Sequence, residues 1–363
     1  MINFNRLLEA SRKTQTSGKR GAGSPLLFLS DRGIGKTAKI RAFCEEINHL
    51  LVVIILGRIP SIDIGGVKVP NFETGELQTL ISRRLLGEIP GAEEYAGVCV
   101  FFDEISASLE DQQTSIQSLI EDRDLEGHKV PDHVWFVCAG NPEDTNCGSH
   151  TIIRSLLDRL VVIEVEPMDI FDDWLEWAEG PGDLHPYVTA FLRWGKSGGD
   201  RNFFHDSDPQ SAELAQPSAR AWTKLSEYVS QDLFPEDLKL LGSGLVGKGT
   251  FSEFKGFLQM GASMATPEEI FRTPGTARIP EGPSGVSATF AVLSNLAGEL
   301  RSRRGTRLST EMVDAVITYL RREELPEAFA VFGFRRMEKA HPDFAQSSSA
   351  YAQFLKDHQD LVV

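Results

Sequence analysis

The sequence predicts an α/β fold in which a parallel sheet of five strands is flanked by helices. Two observations support this prediction: short apolar runs alternate with longer amphipathic stretches over the first 165 residues, and most of these runs are continuous. Continuous apolar runs are typical of parallel strands that are buried on both faces. The predicted strands are Leu26 to Leu29, Leu51 to Leu56, Val98 to Phe102, Val134 to Ala139 and Val161 to Val165.

Two segments interrupt this alternation. The interval from Gly57 to Gly97, between the second and third strands, is too long for one crossover helix and therefore predicts an inserted loop. Apolar residues resume helical spacing from Leu77 to Leu85, which predicts a helix in the second half of the interval. The polar stretch from Asp124 to His133 contains a glycine and a proline, and it predicts a hairpin or a loop before the fourth strand.

The length of 363 residues exceeds what one hydrophobic core accommodates, so more than one domain is expected. Gly, Asp, Ser and Pro are enriched from Gly180 to Pro217, which indicates a linker or surface loop, and Pro and Gly are enriched again from Thr273 to Gly285. Helical spacing of apolar residues follows each stretch. We therefore expect an α/β core over residues 1–170, a linker and helical lid over 171–260, and a C-terminal helical region over 261–363.

Charge and cysteine usage narrow the function classes. The formal net charge is −15, and because residues 1–60 carry +6, the remaining residues carry −21. An acidic chain disfavours a protein that grips nucleic-acid phosphates over a broad surface. The longest apolar run, Leu50 to Leu56, is far shorter than the roughly 20 residues of a membrane span, and the four cysteines form no CxxC pair. We expect a cytoplasmic protein without a membrane segment, a zinc site or a disulfide framework.

A phosphate-binding loop follows the first predicted strand and precedes a helical segment. Its glycines let backbone N–H groups surround a phosphate, and the helix N-terminus adds partial positive charge. Lys36 would offset the charge of the β- and γ-phosphates, while the Thr37 hydroxyl can ligate Mg²⁺. Ser30 replaces the usual first glycine of such a motif. The predicted nucleotide-binding residues of this segment are Ser30, Asp31, Arg32, Gly33, Ile34, Gly35, Lys36, Thr37 and Ala38.

Polar side chains also follow two other predicted strands. Asp103 and Glu104 end the third strand, where the first can hold the hydration shell of Mg²⁺ and the second can polarise the attacking water as a general base. A solvated acidic turn is the alternative interpretation of this pair. Asn141 ends the fourth strand, where its amide can contact a γ-phosphate or the lytic water, although an Asn-Pro pair alone more often marks a turn.

Three arginines are further candidates. Arg154 and Arg159 precede the fifth predicted strand, and Arg220 falls in the first turn of a helix whose start is favoured by Pro217. Instead of a functional role, Arg154 and Arg159 could each simply pair with a surface acid, and Arg220 could simply be exposed to solvent.

These elements, in this order, resemble AAA+ ATPases, and in particular their MoxR-like branch. The sequence Pro217-Ser218-Ala219-Arg220-Ala221-Trp222 is similar to a Pro-Arg-aromatic sequence in the lid of that branch. The resemblance implies an AAA+ P-loop core that is followed by a helical lid and a C-terminal helical extension. It assigns a Walker A motif to Ser30 through Thr37, a Walker B motif to Asp103 and Glu104, a sensor asparagine to Asn141 and a sensor arginine to Arg220. Arg159 would be the arginine finger that enters a neighbouring subunit, with Arg154 as the alternative.

The resemblance also implies an activity, namely the hydrolysis of ATP with Mg²⁺ by a homo-oligomeric ring, expected to be a hexamer. Its catalytic residues would be Lys36, Glu104, Asn141 and Arg159, and its metal ligands would be Thr37 and Asp103. MoxR-like proteins typically remodel or assemble protein complexes, usually with a partner that bears a von Willebrand factor A domain. Such a protein client and partner are therefore expected here.

Two other functions stay open at this stage. The first is a nucleic-acid motor or loader, because related AAA+ proteins carry an insert in the second helix and a hairpin before the sensor strand, and both loops face a central pore. Neither corresponding segment here is a basic stripe, and the polar stretch sets Lys129 against Asp124, Glu126 and Asp132. Nucleic acid is thus a disfavoured partner. The second is a nucleotide-dependent scaffold with negligible turnover, suggested by Ser30.

Overall fold

The computed structural model describes residues 2–17, 23–142, 151–197, 202–206, 213–231, 233–262, 265–280, 285–341, 344 and 353. These residues form two compact units, the first up to Ile170 and the second from Phe171 onward. The three-part division expected from the sequence, with boundaries after residues 170 and 260, stays a prediction. Within the described ranges, no helix combines the length and the apolar character that crossing a bilayer requires.

The first unit is built on five parallel strands, which are numbered here in chain order together with all other strands. They are β1 (Leu26–Leu29), β2 (His49–Ile55), β5 (Gly97–Asp103), β8 (Val134–Gly140) and β9 (Val161–Glu164). Their order in the sheet is β2-β5-β8-β1-β9. The helices of this unit are α1 (Phe4–Gln15), α2 (Lys36–Glu46), α3 (Ser61–Gly65), α4 (Glu110–Glu121) and α5 (Arg154–Leu157). The predicted α/β fold class is confirmed, and every predicted strand lies within two residues of its expected bounds.

The strands β5, β8 and β1 are the interior strands of this sheet, since each has a neighbour on both sides. All of Val98 to Phe102 is buried, as its continuous apolar run predicted. Phe102 and Phe136, on β5 and β8, stack with ring centroids 5.8 Å apart. Since the strands are parallel, the carboxyl ends of β1, β5 and β8 lie side by side at one edge of the sheet.

The first residues of β8 have no partner on β1, and the side chain of Gln15, from α1, forms hydrogen bonds to the β8 backbone there instead. The first residue of β1, Leu26, pairs with Val137, so Phe136 precedes the paired stretch. The backbone N–H of Phe136 donates to Gln15 Oε1 at 2.8 Å, and its carbonyl accepts from Gln15 Nε2 at 3.0 Å. Gln15 is buried at the end of α1, and its amide thereby satisfies two backbone groups of the core.

The long interval between β2 and β5 contains a hairpin, so the helix predicted from Leu77 to Leu85 is wrong. The strands β3 (Val67–Pro70) and β4 (Leu77–Leu80) pair antiparallel, and only Arg83–Leu86 forms a short 3₁₀ helix. The turn between the strands is closed by the Asn71 side chain, whose Oδ1 accepts from the backbone N–H groups of Glu73 and Thr74. Pairing with a partner strand thus outweighs the helical spacing of the leucines.

The polar stretch before the fourth core strand is a hairpin, as one of the two predicted alternatives stated. Its strands are β6 (Asp124–Leu125) and β7 (His128–Lys129). This hairpin contacts the first one, because His128 Nε2 lies 2.9 Å from the carbonyl oxygen of Thr79 on β4. Phe72, at the tip of the first hairpin, is 92% exposed.

The described residues of the second unit form helices that are joined by turns and loops, and no strand occurs among them. Its helices are α6 (Phe171–Glu179), α7 (Pro186–Ser197), α8 (Ala219–Val229), α9 (Pro235–Val246), α10 (Lys248–Ala262), α11 (Pro267–Arg272), α12 (Gly285–Ser302), α13 (Thr310–Leu320) and α14 (Glu327–Ala340). The linker predicted from Gly180 to Pro217 is therefore wrong where α7 lies. Phe191 on α7 packs against Trp222 and Phe254, with ring centroids 5.6 and 5.3 Å away. The sequence of α7 contains a glycine, which costs a helix about 1 kcal/mol of stability, and the burial of these aromatic rings contributes more than that cost.

A buried carboxylate joins three helices of the second unit. Glu179 of α6 accepts two hydrogen bonds of 2.7 Å from Arg193 of α7 and one of 2.8 Å from Arg336 of α14. Burial by itself would raise the pKa of Glu179, but the hydrogen bonds from Arg193 and the charge of Arg336 hold that pKa below its ordinary value. Glu179 therefore stays ionised in the core and pairs with cations, as buried charges require.

Candidate active site

The phosphate-binding loop predicted from the sequence connects β1 to α2. Gly33 and Gly35 have φ angles of 77° and 94°, a left-handed conformation that residues with a Cβ rarely adopt. Gly35 is the N-cap of α2, and the helix begins at Lys36. The N–H groups of the first helical turn are therefore directed at the loop, where they and the helix dipole favour an anion. Thr37 and Ala38 belong to this first turn.

The ammonium group of Lys36 lies within the loop. Its Nζ donates to the Ser30 hydroxyl at 2.7 Å and to the Ser30 carbonyl at 2.8 Å. It is also 3.2 Å from the carbonyl oxygen of Gly140 and 3.4 Å from that of Asp31. The ammonium group is thus held by oxygens of the loop and of β8.

Thr37 meets Asp103, which belongs to the strand β5. The hydroxyl of Thr37 donates to Asp103 Oδ2 at 2.9 Å, and Asp103 Oδ1 accepts from the backbone N–H of Glu104 at 2.9 Å. The first of these bonds joins residues that are 66 positions apart in the chain. The contact brings together the hydroxyl and the carboxylate for which the sequence predicted a shared role.

These two oxygens are of the type that Mg²⁺ prefers, and the length of their hydrogen bond is compatible with two adjacent ligands of this ion. Mg²⁺ prefers oxygen ligands at about 2.0–2.1 Å in an octahedron, so two adjacent ligands stand about 2.9 Å apart. The separation of Thr37 Oγ1 and Asp103 Oδ2 is 2.9 Å. No group of three or more His, Cys, Asp or Glu side chains suited to a metal occurs in the part of the chain that the structure describes.

Glu104 follows Asp103 in an unusual backbone conformation. Its φ and ψ angles are 56° and 38°, and it is the residue before a short 3₁₀ helix, Ile105–Ala107. A left-handed residue other than glycine costs of order 1 kcal/mol, and such residues cluster at functional sites. The turn gives the two adjacent carboxylates different directions, so that Asp103 bonds to Thr37 while Glu104, which is half-buried, does not share that contact.

Asn141 lies directly after β8, at the same edge of the sheet as Asp103 and Ser30. Its backbone N–H donates to the hydroxyl of Ser106 at 2.9 Å. The preceding residue, Gly140, accepts hydrogen bonds through its carbonyl from the backbone N–H of Ser30 at 3.3 Å and from Lys36. A Cβ at Gly140 would lie 3.1–3.4 Å from side-chain atoms of Ile105, Leu29 and Ser106. The three strand ends are thus packed closely on one another.

Ser106 and Gly140 are residues of this site that the sequence analysis missed. Ser106 holds Asn141 through its hydroxyl, and Gly140 supplies an oxygen to Lys36. Their positions next to Glu104 and Asn141 are a signal that could have found them. Neither residue type by itself indicates nucleotide binding, so only the contacts in the structure identify these two residues as part of the site.

The two arginines before β9 lie apart from these contacts. Arg159 forms an ion pair with Glu121 of α4, and it donates to the carbonyl of Ser155. The hydrogen bond from Arg159 lowers the pKa of Glu121. Arg154, at the start of α5, is exposed. Among the described hydrogen bonds and ion pairs, none joins Arg159 or Arg154 to the phosphate loop. The pairing of Arg159 with a surface acid was one of the two interpretations that the sequence left open.

Arg220 belongs to the second unit. It is exposed in the first turn of α8, and the N-cap of that helix is Ser218, whose hydroxyl accepts from the backbone N–H of Ala221. Pro217 therefore precedes the helix rather than beginning it. The sensor role that the resemblance gives to Arg220 stays a prediction.

No protein family model matches this chain, and no curated protein matches it either. Among solved structures, NtrX from Brucella abortus in complex with ADP aligns with 15% sequence identity over 98% of this chain and 69% of its own, at a TM-score of 0.37. Two mutants of RuvB from Thermotoga maritima align with 13% identity and TM-scores of 0.36, and they cover 70% and 71% of this chain and 69% and 71% of theirs. Likenesses of this size carry no argument about activity.

Proposed function

We propose that the protein is an AAA+ ATPase that hydrolyses Mg-ATP. The observation on which this proposal depends is the contact between Thr37 and Asp103, because it joins the phosphate loop to the acidic end of β5 with the spacing of two Mg²⁺ ligands. Lys36 lies in the same loop. The start of α2 thus contributes a cation and a hydroxyl, the end of β5 a carboxylate, and the residue after β8 an amide. These groups lie at one edge of an α/β sheet, which is where ligands of such sheets bind.

Each residue then has a chemical role in the proposed reaction. The N–H groups at the start of α2 and the Lys36 ammonium bind phosphate oxygens, and Thr37 and Asp103 hold Mg²⁺, which neutralises charge on those oxygens when bound. Glu104 accepts a proton from the water whose oxygen attacks the γ-phosphorus, and the bond from that phosphorus to the β-γ bridging oxygen breaks. The products are ADP and inorganic phosphate. Asn141 orients the water or the γ-phosphate.

Replacing the proposed base tests this assignment. Glu104→Gln keeps the shape of the side chain but cannot take the proton, so phosphate release should fall by about 100-fold or more while ATP still binds. Glu110→Gln, at an exposed position at the start of α4, is the matched control and should turn over ATP like the unaltered protein. Turnover by the Glu104 variant within twofold of the control would refute the role of this carboxylate.

We further propose a MoxR-like homo-oligomeric ring, expected to be a hexamer, in which Arg159 completes the site of the neighbouring subunit. Its present pairing with Glu121 would be exchanged for phosphate contacts on assembly. Mixing two inactive variants, Glu104→Gln and Arg159→Ala, tests the idea. A site that contains Glu104 from one chain and Arg159 from the other is complete, so mixed assemblies should regain activity. No recovery in mixed assemblies would contradict action between subunits, and parallel mixing with Arg154→Ala examines the alternative finger.

The proposed client is a protein complex, remodelled together with a partner that bears a von Willebrand factor A domain. The hairpin β3–β4 supports this proposal, since its tip exposes Phe72 directly before the acidic residues Glu73 and Glu76, whose charges would repel phosphate backbones. Affinity capture with the Glu104→Gln variant and ATP should recover a protein with such a domain. Recovery of nucleic acid alone, together with ATPase activity that DNA stimulates and salt suppresses, would instead favour the motor or loader.

A further inference from the structure

A side chain occupies the place in the phosphate loop where such loops usually have a glycine. Ser30 is only 2% exposed, and its hydroxyl oxygen lies 2.7 Å from Lys36 Nζ and 3.3 Å from the carbonyl oxygen of Asp31. An ammonium group can only donate, so the hydroxyl accepts from Lys36 and donates its own proton to Asp31. The hydroxyl is therefore built into the contacts of the lysine.

The acceptors around Lys36 already outnumber its donors. Four oxygens lie within 3.4 Å of Nζ, and the two nearest both belong to Ser30. An ammonium has three N–H groups. A phosphate oxygen can accept from Lys36 only when one of the present acceptors gives up its bond.

The hydroxyl is the acceptor that can leave most easily. The other three oxygens belong to backbone carbonyls, and that of Gly140 also accepts from the N–H of Ser30, which ties β8 to the loop. The hydroxyl alone can turn about a single bond without moving the backbone. We propose that the Ser30 hydroxyl is a positioning group that competes with phosphate for Lys36 and thereby weakens nucleotide binding. The inference depends on the proposed ATPase function and assigns to the same site a built-in limit on affinity.

Removing the hydroxyl measures this competition. A hydrogen bond to a charged group is lost when phosphate displaces Ser30, so Ser30→Ala should bind Mg-ATP and Mg-ADP about tenfold more tightly, which corresponds to about 1.4 kcal/mol. The same substitution should lower the melting temperature without nucleotide, because Lys36 then loses its nearest acceptor. Ser108→Ala is the matched control: it removes another buried hydroxyl, which donates to the carbonyl of Ile105 and does not contact Lys36.

The opposite effects of Ser30→Ala on nucleotide affinity and on stability distinguish a positioning role of the hydroxyl from a purely structural one. A residue that only supports the loop would weaken both binding and stability, whereas a competitor lowers stability and raises affinity. The gain should also disappear when Ser30→Ala is combined with Lys36→Ala, since the hydroxyl acts through the ammonium. Ser30→Thr, which keeps the hydroxyl, should restore the dissociation constant of the unaltered protein.

Isothermal titration calorimetry with Mg-ATP and Mg-ADP gives outcomes that separate the two proposals. If the unaltered protein binds neither nucleotide, the proposed function fails. If it binds them and Ser30→Ala binds equally or less tightly, the inference about Ser30 fails while the proposed function stands. Should Ser30→Ala not fold, Ser30→Gly carries the residue that such loops usually have and is expected to show the same tenfold gain.

Discussion

The buried amide of Gln15 should contribute more to stability than any single exposed contact of α1. Replacing it in Gln15→Ala removes the acceptor for the N–H of Phe136 and the donor to the Phe136 carbonyl, at 2.8 and 3.0 Å. Each buried backbone group left without a partner costs about 1–3 kcal/mol, so for these two groups we expect a loss of about 2–6 kcal/mol in the free energy of unfolding. A water molecule in the vacated space would bring the loss toward the lower value.

Urea unfolding measures the global loss, and hydrogen exchange locates it. The Phe136 amide should exchange faster in Gln15→Ala, because its N–H then has no acceptor from α1. Asn5→Ala is the matched control, since it removes an amide from an exposed position of the same helix, and it should change stability by less than about 0.5 kcal/mol. A loss in Gln15→Ala no larger than in Asn5→Ala, with unchanged exchange at Phe136, would refute this account of how β8 is completed.

Three further predictions concern the titration of His185, the ion pair of Arg159 and the binding of Mg²⁺. Burial lowers the pKa of His185 to about 3, and its Nδ1 accepts from the N–H of Tyr187, so the folded protein binds fewer protons than the unfolded chain between pH 3 and about 6.5. Stability should therefore fall as the pH drops through that range, by at most about 1.4 kcal/mol per unit from this group, and urea titrations of His185→Asn should show a smaller pH dependence. Glu121→Gln should release Arg159 and raise the ATPase rate, by no more than about fivefold since exposed ion pairs are weak, and a lower rate would contradict the exchange proposed above. Asp103→Asn should raise the Mg²⁺ concentration needed for half-maximal ATPase activity by at least about tenfold, and an unchanged Mg²⁺ titration would remove this residue from the metal site.

The parts of the fold that were predictable are those that one segment specifies by itself. The strands β5 and β8 are buried on both faces, and their continuous apolar sequences predict this burial. The phosphate loop was predictable for a similar reason, because the left-handed conformations at Gly33 and Gly35 require glycine and the helix follows at once. Parallel pairing then places Asp103 near Thr37, so their contact could be expected from the order of motifs.

The remaining features depend on residues that are far apart in the chain. Helical spacing from Leu77 to Leu85 was misleading because β3 supplies a pairing partner that no local pattern reveals. The pairing of Arg159 with Glu121 spans 38 positions, and that of Gln15 with Phe136 spans 121. Acidic and amide side chains are common on helices, so composition does not say which of them meets a given partner. Only the packed structure selects among them.

Gly140 has a consequence for how this protein can change by mutation. Its place at the end of β8 leaves only 3.1–3.4 Å between an added Cβ and its neighbours Ile105, Leu29 and Ser106. Alanine there would require the side chains of Ile105 and Leu29 to move by a few tenths of an ångström, whereas the exposed hairpin tip around Phe72 has no such close neighbours among the described residues. Random mutagenesis with selection for folded, nucleotide-binding protein should therefore accept fewer substitutions at codon 140 than at codons near 72. New specificities can accumulate on the hairpin without disturbing the point where the phosphate loop, β5 and β8 meet.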